Sequence, residues 1–360
     1  MRAALLSTLD RGGPVEQALL LSGGLVARGV EVRAVCAFAE VAERFAATGA
    51  DVALVPNRGF RDARAAVATM RAARGCDVVH GHDRRANLWL RMAPRPGRGA
   101  PRVITVHGLP DPYHPPPIGT ETHDLRTRLA YRGLDAGLCR RADAIVAPSR
   151  TIAGELVARL GYPADKLVVV PNGVVPPAFR EDRDGGVGML ALLVALKGVD
   201  VFLRAAARLD GAAPLTVFGD GPERDALLAL RDELGLAGRV AFPGFVPSAR
   251  ALEDLRVLVI ASYAENAPMS LLEAMAAGVA VVTTTVGGIP EIADDSVAQL
   301  VAPGDSAAIA EAVARLLADD DLRRRQVRAA RARVEERFTA AANAEAIHGL
   351  YERLRAGGRP

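Results

Sequence analysis

Short apolar runs alternate with longer amphipathic segments along the whole chain, and this alternation constrains the fold more than any other feature. Strands and helices that alternate in this way form parallel sheets with helices on both faces. The pattern therefore predicts an α/β protein with two doubly wound parallel sheets. Seven runs predict the strands of the first sheet, near 2–7, 30–36, 51–55, 77–80, 102–106, 144–147 and 167–170. Six further runs predict the strands of the second sheet, near 187–194, 215–219, 240–244, 255–262, 279–285 and 298–301.

A segment rich in proline, glycine and charge separates the two series of strands. PNGVVPPAFREDRDGG, residues 171–186, is the best candidate for a linker between domains. The sequence thus predicts an N-terminal domain over 1–173, a second domain over 174–337, and a final helix within 338–360 that packs back on the first domain. Ligands bind beyond the carboxyl ends of the strands in such sheets, so two Rossmann-like domains facing a central cleft would surround a ligand with these loops.

Charge divides unevenly between the two halves, although the whole chain carries only +3. Residues 1–173 hold 24 basic and 16 acidic side chains, a net +8, whereas residues 174–360 hold 21 and 26, a net −5. The difference predicts halves with different partners, the first facing an anionic one. Uneven surface decoration without a function is the alternative interpretation.

Cysteine usage and hydropathy indicate a cytoplasmic protein. Cys36, Cys76 and Cys139 form neither a CxxC pair nor a metal-ligand spacing, which is typical of buried free thiols in a reducing compartment. The first residues, MRAALLSTLDRGG, do not resemble a signal peptide. The longest uncharged run, 274–290, holds three Thr and three Gly in 17 residues and falls short of a membrane-spanning helix.

Two glutamates flank the predicted start of a helix in SYAENAPMSLLEAMAAG, residues 262–278. Glu265 follows a predicted strand, and Glu273 lies near the beginning of the next helix. Each carboxylate can accept protons from two hydroxyl groups, which suits the binding of a sugar. Alternatively, Ser270 and Glu273 form the S-x-x-E pattern of a capping box, in which Glu273 would only satisfy a free backbone amide. The residues alone leave both interpretations open.

Lysine is rare in this chain, since only Lys166 and Lys197 among 45 basic residues are lysine. Lys197 lies between a predicted strand and a helix in LVALKGVD. A lysine there indicates a need for a compact ammonium group, such as one that binds phosphate. An ordinary solvated surface charge is the alternative.

The segment ENAPMSLLEAMAAGVAVVTTTVGGIPE resembles the signature region of the retaining GT-B glycosyltransferases of glycosyltransferase family 4. The resemblance implies the GT-B fold and transfer of a hexose-type sugar from a nucleoside diphosphate to an acceptor hydroxyl, with retention at the anomeric carbon. It also implies that no metal ion or cofactor is needed. Eight further segments resemble family segments in the family's order: RGGPVEQALLLSGGLVARGVEV, DVVHGHD, ITVHGLP, ADAIVAPS, VVVPNGV, KGVDVFLRAA, FGDGPERDAL and VAFPGF.

The resemblance also assigns roles to particular residues. Glu265 and His107 would bind the donor sugar, Glu273 the ribose and Lys197 the diphosphate, with Glu265, Lys197 and His107 acting in catalysis. The remaining donor-binding candidates lie in loops that follow strands, where backbone amides or close approach would serve phosphate and sugar. These candidates are Gly12, Gly13, Leu192, Gly219, Val246, Asn266, Ala267 and Met269. For Gly12 and Gly13, the geometry of a tight loop is an equally simple explanation.

One position departs from the family pattern, which resembles G-M-L-A-R-L-x-P-x-K-G. This chain reads GMLALLVALKG, with Leu192 at the position of an arginine that binds the diphosphate. We expect Leu192 to pack at the end of a buried strand, and the lost charge to impair transfer more than folding. A catalytically impaired relative that only binds the donor is therefore one alternative function, and a GT-B sugar epimerase is another. A nicotinamide dehydrogenase would need a cofactor fingerprint that the sequence lacks.

Two further features of the sequence suggest other ligands, namely a metal ion and a membrane surface. His80, His82 and Asp83 spell H-x-H-D, but no additional ligand cluster supports a metal site. Residues 83–102 contain six Arg against one acid, with Leu88, Trp89 and Met92 interleaved. This segment predicts peripheral contact with the inner face of a membrane and a lipid acceptor, unless it reflects the Arg-rich composition alone. A glycan or a small molecule are the other acceptor classes, and no motif for nucleic acid is present.

Overall fold

The computed structural model describes residues 1–94, 99–109, 133–211 and 213–360, which divide into two units. The first unit contains the described residues of 1–175 together with 339–360. The second unit runs from 176 to 338, and its first residue lies inside the predicted linker.

The first unit is built on a seven-stranded parallel sheet with the strand order β3-β2-β1-β4-β5-β6-β7. Its strands are β1 (Arg2–Ser7), β2 (Glu31–Cys36), β3 (Asp51–Leu54), β4 (Val78–Gly81), β5 (Arg102–Thr105), β6 (Ala144–Ala147) and β7 (Leu167–Val169). Its helices are α1 (Gly13–Val26), α2 (Ala39–Ala47), α3 (Ala63–Ala72), α4 (Arg84–Met92), α5 (Arg150–Leu160) and, at the C-terminus, α13 (Ala340–Arg355). Residues 133–139 are also helical.

The second unit is built on a six-stranded parallel sheet with the order β10-β9-β8-β11-β12-β13. Its strands are β8 (Gly186–Leu190), β9 (Leu215–Phe218), β10 (Val240–Gly244), β11 (Leu255–Ile260), β12 (Ala280–Thr284) and β13 (Gln299–Val301). Its helices are α6 (Val199–Ala206), α7 (Arg224–Glu233), α8 (Ser248–Glu253), α9 (Met269–Ala277), α10 (Ile289–Ile292), α11 (Ser306–Ala318) and α12 (Asp320–Arg337).

The structure confirms the prediction of two doubly wound α/β sheets, including all thirteen predicted strands. The largest difference concerns β8, which was predicted over 187–194 but ends at Leu190. The apolar run continues beyond the strand because the next residues form a loop that lies against the β9 loop, where Leu193 N donates to Asp220 O at 2.9 Å. Hydropathy alone does not distinguish such a loop from a strand.

The last helix, α13, belongs to the core of the first unit. Ile347, Leu350 and Tyr351 are buried in the same apolar cluster as residues of β1 and α1. The helices α1 and α13 approach each other so closely that residue 24 must be glycine, since a Cβ atom there would lie 2.4 Å from the Cβ of Ala344. The chain thus crosses back to complete the first core after forming the second unit.

Candidate functional site

The carboxyl edge of the second sheet brings Lys197 and Glu265 together. Lys197 ends a short 3₁₀ turn, Ala195–Lys197, that follows β8, and Glu265 lies in the loop after β11. The Lys197 ammonium forms an ion pair with Glu265 Oε1, and Ser262 Oγ donates to the same oxygen at 2.9 Å. The Glu265 side chain is 10% exposed and the Lys197 side chain 29% exposed. The site therefore holds one ammonium and one carboxylate in contact at the sheet edge.

Close backbone contacts fix the loops that carry this pair. Tyr263 N donates to Leu196 O at 2.8 Å, which ties the β11 loop to the β8 loop. Gly198 follows Lys197 with a φ of 64°, and a Cβ atom there would lie 2.1 Å from Ala261 O. On the other side, Gly287 has a φ of 56°, and its Cβ atom would lie 1.6 Å from Glu265 O. Only glycine fits these positions, so the Glu265 loop is held between its two neighbours.

Glu273 lies in the second turn of α9 and is half-buried. The helix begins at Met269, with Pro268 at the N-cap position and no side-chain capping hydrogen bond. Ser270 is therefore the second helical residue and not the N-cap. The capping-box interpretation of Ser270 and Glu273 is wrong, and the predicted ribose-binding role of Glu273 stays a prediction.

Leu192 lies in the loop after β8, and its side chain is 56% exposed. Our expectation that it packs at the end of a buried strand is wrong. The backbone beside it is tightly packed, since a Cβ atom at Gly219 would lie 1.8 Å from Ala191 O. Phe245, next to the half-buried Val246 after β10, is 61% exposed. The loops after β8 and β10 thus carry exposed apolar side chains.

The other candidates of the second unit lie on the same edge as Glu265. Asn266 and Ala267 follow Glu265 in its loop, and Met269 is the first residue of α9. Ala267 is buried, whereas Asn266 and Met269 are half-buried. The backbone amides at the start of α9 point towards the carboxyl side of the sheet, where a helix N-terminus favours an anion.

Gly12 and Gly13 lie in the first unit, at the turn from β1 into α1. Gly12 is exposed at the N-cap position with a φ of 104°, and Gly13 is the first residue of the helix. A Cβ atom at Gly12 would meet nothing closer than Pro14 Cδ at 3.9 Å. Backbone conformation therefore requires glycine at position 12, and the structure leaves its surface open.

Three histidines from β4, its loop and the loop after β5 form a cluster in the first unit, in which His80 and His82 are buried and His107 is half-buried. The His80 and His82 ring centroids are 4.1 Å apart, and those of His82 and His107 are 6.0 Å apart. Both ring nitrogens of His80 have hydrogen-bond partners: Nδ1 pairs with Tyr351 Oη at 2.6 Å and Nε2 with Thr105 Oγ1 at 2.7 Å. Among the described residues, both ring nitrogens of His82 and the Nε2 of His107 lack a hydrogen-bond partner.

Burial keeps this cluster neutral. Desolvation lowers the pKa of His80 to about 3 and that of His107 to about 4, and it lowers the pKa of His82 well below its usual value. The neighbouring rings lower the pKa values of His80 and His82 further. Protonation of His107 near neutral pH is therefore disfavoured by its surroundings, and its role in catalysis stays a prediction.

A cavity of about 330 Å³, the histidine cavity, opens beside His82 and His107. Arg91 and Asp135, which also line it, form an ion pair at 2.8 Å with side chains 4% and 9% exposed. Tyr162 donates its hydroxyl hydrogen to Asp135, and Arg91 Nη1 contacts Cys139 Sγ at 2.7 Å. The charges of Arg91 and Asp135 are thus paired with each other within the protein.

Asp83 of the H-x-H-D motif caps a helix. Its Oδ1 accepts from the backbone amides of Arg85 and Ala86 at 3.0 Å, at the N-terminus of α4, and from Thr8 Oγ1 at 2.7 Å. In the part of the chain that the structure describes, no group of three or more His, Cys, Asp or Glu side chains is placed to hold a metal ion. The motif is explained by capping and by the histidine cluster.

Residues 95–98 of the segment 83–102, including Arg95 and Arg98, lie outside the described residues, and the rest exposes less than the membrane hypothesis requires. Trp89, Arg91 and Arg102 are buried, whereas Met92 is 58% exposed. Arg102 donates to Ala93 O at 2.8 Å. Trp89, Arg91 and Arg102 are therefore not available for contact with a membrane surface. Of the described helices, none is long and apolar enough to cross a membrane.

Solved structures with the same fold identify the fold class of this protein. A protein of Anabaena, Alr3699/HepE in complex with UDP and glucose, matches with a TM-score of 0.84 and 19% identity over 98% of this chain and 99% of that one. Sucrose-phosphate synthase from Thermosynechococcus elongatus matches with a TM-score of 0.82 and 20% identity over 99% of this chain and all of that one. The fold is that of the GT-B glycosyltransferases.

Sequence comparison gives the family. The model of Glycosyltransferase Family 4 matches residues 11–176, and that of Glycosyl transferases group 1 matches residues 180–333. The 2-deoxystreptamine glucosyltransferase of Streptomyces kanamyceticus is 30% identical over 74% of this chain and 75% of its own length. The D-inositol 3-phosphate glycosyltransferase of Acidothermus cellulolyticus is 31% identical over 76% of this chain and 66% of its own length. The chain belongs to glycosyltransferase family 4.

Sequence reasoning missed several residues of the two sites. Ser262, which donates to Glu265, ends the apolar run of β11 and carries no signal beyond its polarity. His82 was considered only as a metal ligand, although its ring lines a cavity. Asp135 and Tyr162 come from distant parts of the first unit, so no local pattern could reveal their contact.

Proposed function

We propose that this family member transfers a hexose-type sugar from a nucleoside diphosphate sugar to an acceptor hydroxyl, with retention at the anomeric carbon. The pair formed by Lys197 and Glu265 at the carboxyl edge of the second sheet is the observation that carries this proposal. An ammonium suits a diphosphate, and a carboxylate suits sugar hydroxyls. The UDP and glucose bound by the Anabaena neighbour make UDP-glucose the first donor to test.

The reaction breaks the bond between the anomeric carbon and the diphosphate oxygen. The acceptor oxygen forms its bond to the same face of that carbon, and the departing phosphate takes the acceptor's proton. The products are the glycosylated acceptor and the nucleoside diphosphate, and this route needs neither Glu265 nor Glu273 as a nucleophile. Lys197 and the amides at the start of α9 would stabilise the negative charge that grows on the diphosphate.

A second candidate function is a relative that binds the donor but transfers slowly. The exposed Leu192 favours it, because no positive charge stands at the position where the family pattern has arginine. The ion pair with Glu265 also offsets the charge of Lys197 when no ligand is bound. This candidate predicts donor affinity without efficient turnover.

A thermal-shift screen of UDP, GDP and ADP with their sugar conjugates tests the donor. A ligand at 100 times its Kd stabilises the folded protein by about 2.7 kcal/mol, which gives a clear shift in Tm. We expect one nucleotide and its sugar conjugate to shift Tm well above the others. Failure of every conjugate to shift Tm at millimolar concentration would contradict the proposal.

A further inference from the structure

A second cavity adjoins the histidine cavity in the first unit. This leucine cavity has a volume of about 240 Å³. It shares Arg84, Arg91 and Asp135 with the histidine cavity, so the two spaces are neighbours along one wall. Its remaining lining residues are apolar: Phe60, Leu88, Leu134 and Leu138.

The histidine cavity offers unsatisfied hydrogen-bonding groups. His82 is 3% exposed, and both of its ring nitrogens lack a partner among the described residues, as does Nε2 of His107. A neutral imidazole carries one donor and one acceptor, and leaving them unpaired in a buried position is unfavourable. Hydroxyl groups donate and accept, so a polyhydroxylated ring satisfies either tautomer. A volume of about 330 Å³ lies at the lower end of the range for small-molecule pockets.

The leucine cavity offers the opposite chemistry. Two of its three charged lining residues, Arg91 and Asp135, are paired with each other at 2.8 Å. The third, Arg84, has its guanidinium carbon 6.0 Å from the centre of the Phe60 ring. Leu134 is 67% exposed and Phe60 is 47% exposed, so both present apolar surface to solvent at this cavity. The guanidinium of Arg85 lies 5.3 Å from the centre of the Phe60 ring and holds one of its faces. An apolar occupant would remove these side chains from water.

We propose that the acceptor is amphipathic, with a sugar or cyclitol ring in the histidine cavity and an alkyl or aryl arm in the leucine cavity. This inference rests on the proposed transferase function and specifies its acceptor class. It explains why an unsatisfied buried histidine, His82, and the exposed apolar side chains of Phe60 and Leu134 line neighbouring cavities that share one ion pair. The arm supplies affinity by burial, and the hydroxyls fix the orientation of the ring.

Trp89 provides a reporter for this site in the full-length protein. It is the only tryptophan of the chain, is 5% exposed, and donates through Nε1 to Phe60 O at 3.2 Å. Its fluorescence can be titrated with methyl and octyl glycosides of glucose, galactose and mannose, with each octyl glycoside kept below its micelle concentration. We expect at least one octyl glycoside to bind about tenfold or more tightly than its methyl partner, because its arm is buried.

Three variants assign the effect to its cavities. Leu134→Asp should remove most of the octyl advantage and leave the affinity for the methyl glycoside unchanged. Val175→Asp is the matched control, because Val175 is also apolar and 67% exposed in the first unit but lines neither cavity. His82→Phe keeps a ring and removes both nitrogens, and it should weaken methyl and octyl glycosides equally, by about tenfold.

Equal affinity for methyl and octyl partners would overturn the inference, as would binding of no pair at all. An octyl advantage that survives Leu134→Asp, or that Val175→Asp abolishes equally, would also overturn it. The donor screen separates this failure from failure of the proposed function, because the proposed diphosphate site rests on Lys197 and the start of α9, which line neither cavity. If a nucleotide sugar binds and the octyl advantage is missing, only the acceptor class is wrong.

Discussion

At the scale of single residues, the two sites differ in how the protein treats charge. The second unit holds a charged pair, Lys197 and Glu265, in a partly exposed position. The first unit instead holds three imidazole rings, two of them buried and that of His107 half-buried, whose pKa values are all lowered. The sequence predicted the charged residues because their types are conspicuous. It could not predict the neutral cluster, because His82 and His107 come together only when β4 and β5 pair.

Leu192→Arg tests whether a missing charge limits turnover. An arginine there would add a donor for the charge that develops on the diphosphate, so we expect turnover of the nucleotide sugar to rise about 10²- to 10³-fold. Steady-state release of the nucleoside diphosphate measures it. Leu192→Gln is the control, since it adds polarity without charge. Equal rates in the wild type, the Gln variant and the Arg variant would contradict the impaired-transfer candidate.

The buried histidines predict an acid-sensitive first unit. Their folded-state pKa values lie below the unfolded value near 6.5, so the stability they confer is complete above pH 6.5 and is lost as pH falls towards about 4 for His107 and about 3 for His80. Each ring contributes a slope of up to about 1.4 kcal/mol per pH unit in this window.

Urea unfolding at pH 7, 6 and 5 measures this slope above the range in which most carboxylates titrate. His107→Gln should reduce the slope of the unfolding free energy against pH by the contribution of one imidazole ring. A free energy of unfolding that is constant between pH 7 and pH 5 would show that the rings are not buried as described.

At the scale of elements, tight loops at the strand ends position the site. The sequence indicated the strands well, because alternation of apolar runs with helices is a strong signal. It placed the end of β8 four residues too late, at 194 instead of Leu190, because the apolar residues that follow belong to a loop. It also suggested a capping box at Ser270 that the start of α9 excludes. Loop packing depends on neighbouring strands, which local patterns do not contain.

Gly287→Ala should disturb the Glu265 loop far more than an ordinary glycine substitution. The new Cβ atom would lie 1.6 Å from Glu265 O, so the loop must move. Gly235→Ala is a matched control, because Gly235 has a similar φ of 70° and a Cβ atom there would meet no atom within 4 Å. The control should cost about 1 kcal/mol for its left-handed conformation alone.

We expect Gly287→Ala to lower the free energy of unfolding by more than this control and to abolish donor binding, whereas Gly235→Ala retains it. Denaturant unfolding and nucleotide titration measure the two effects. Similar losses of stability in the two variants, with donor binding intact in both, would show that the Glu265 loop is not clamped.

At the scale of the whole molecule, the chain forms two cores and returns to the first one. Leu350 of α13 is fully buried in the first core, and Leu316 of α11 is fully buried in the second. The sequence predicted a helix at the C-terminus from its composition. Its partner, α1, lies more than 300 positions earlier in the chain, so no local pattern could reveal this contact, in which Gly24 closely approaches Ala344.

Leu350→Ala and Leu316→Ala should therefore destabilise different units. Each removes a buried leucine from a close-packed core, and each should cost about 2 to 5 kcal/mol. Scanning calorimetry should show the loss in one transition for Leu350→Ala and in the other for Leu316→Ala. If both variants shift one common transition by the same amount, the two cores do not unfold separately.

Calorimetric titration of the nucleotide sugar selected in the donor screen tests the central claim most directly. Lys197→Ala removes the ammonium from the carboxyl edge of the second sheet, and Lys166→Ala removes the only other lysine, whose Nζ donates to Arg140 O and Ala142 O at 2.7 Å in the first unit. We predict that Lys197→Ala weakens binding at least about tenfold, as loss of a charged hydrogen bond does, and that Lys166→Ala leaves it unchanged. Equal affinity in all three proteins would contradict the account.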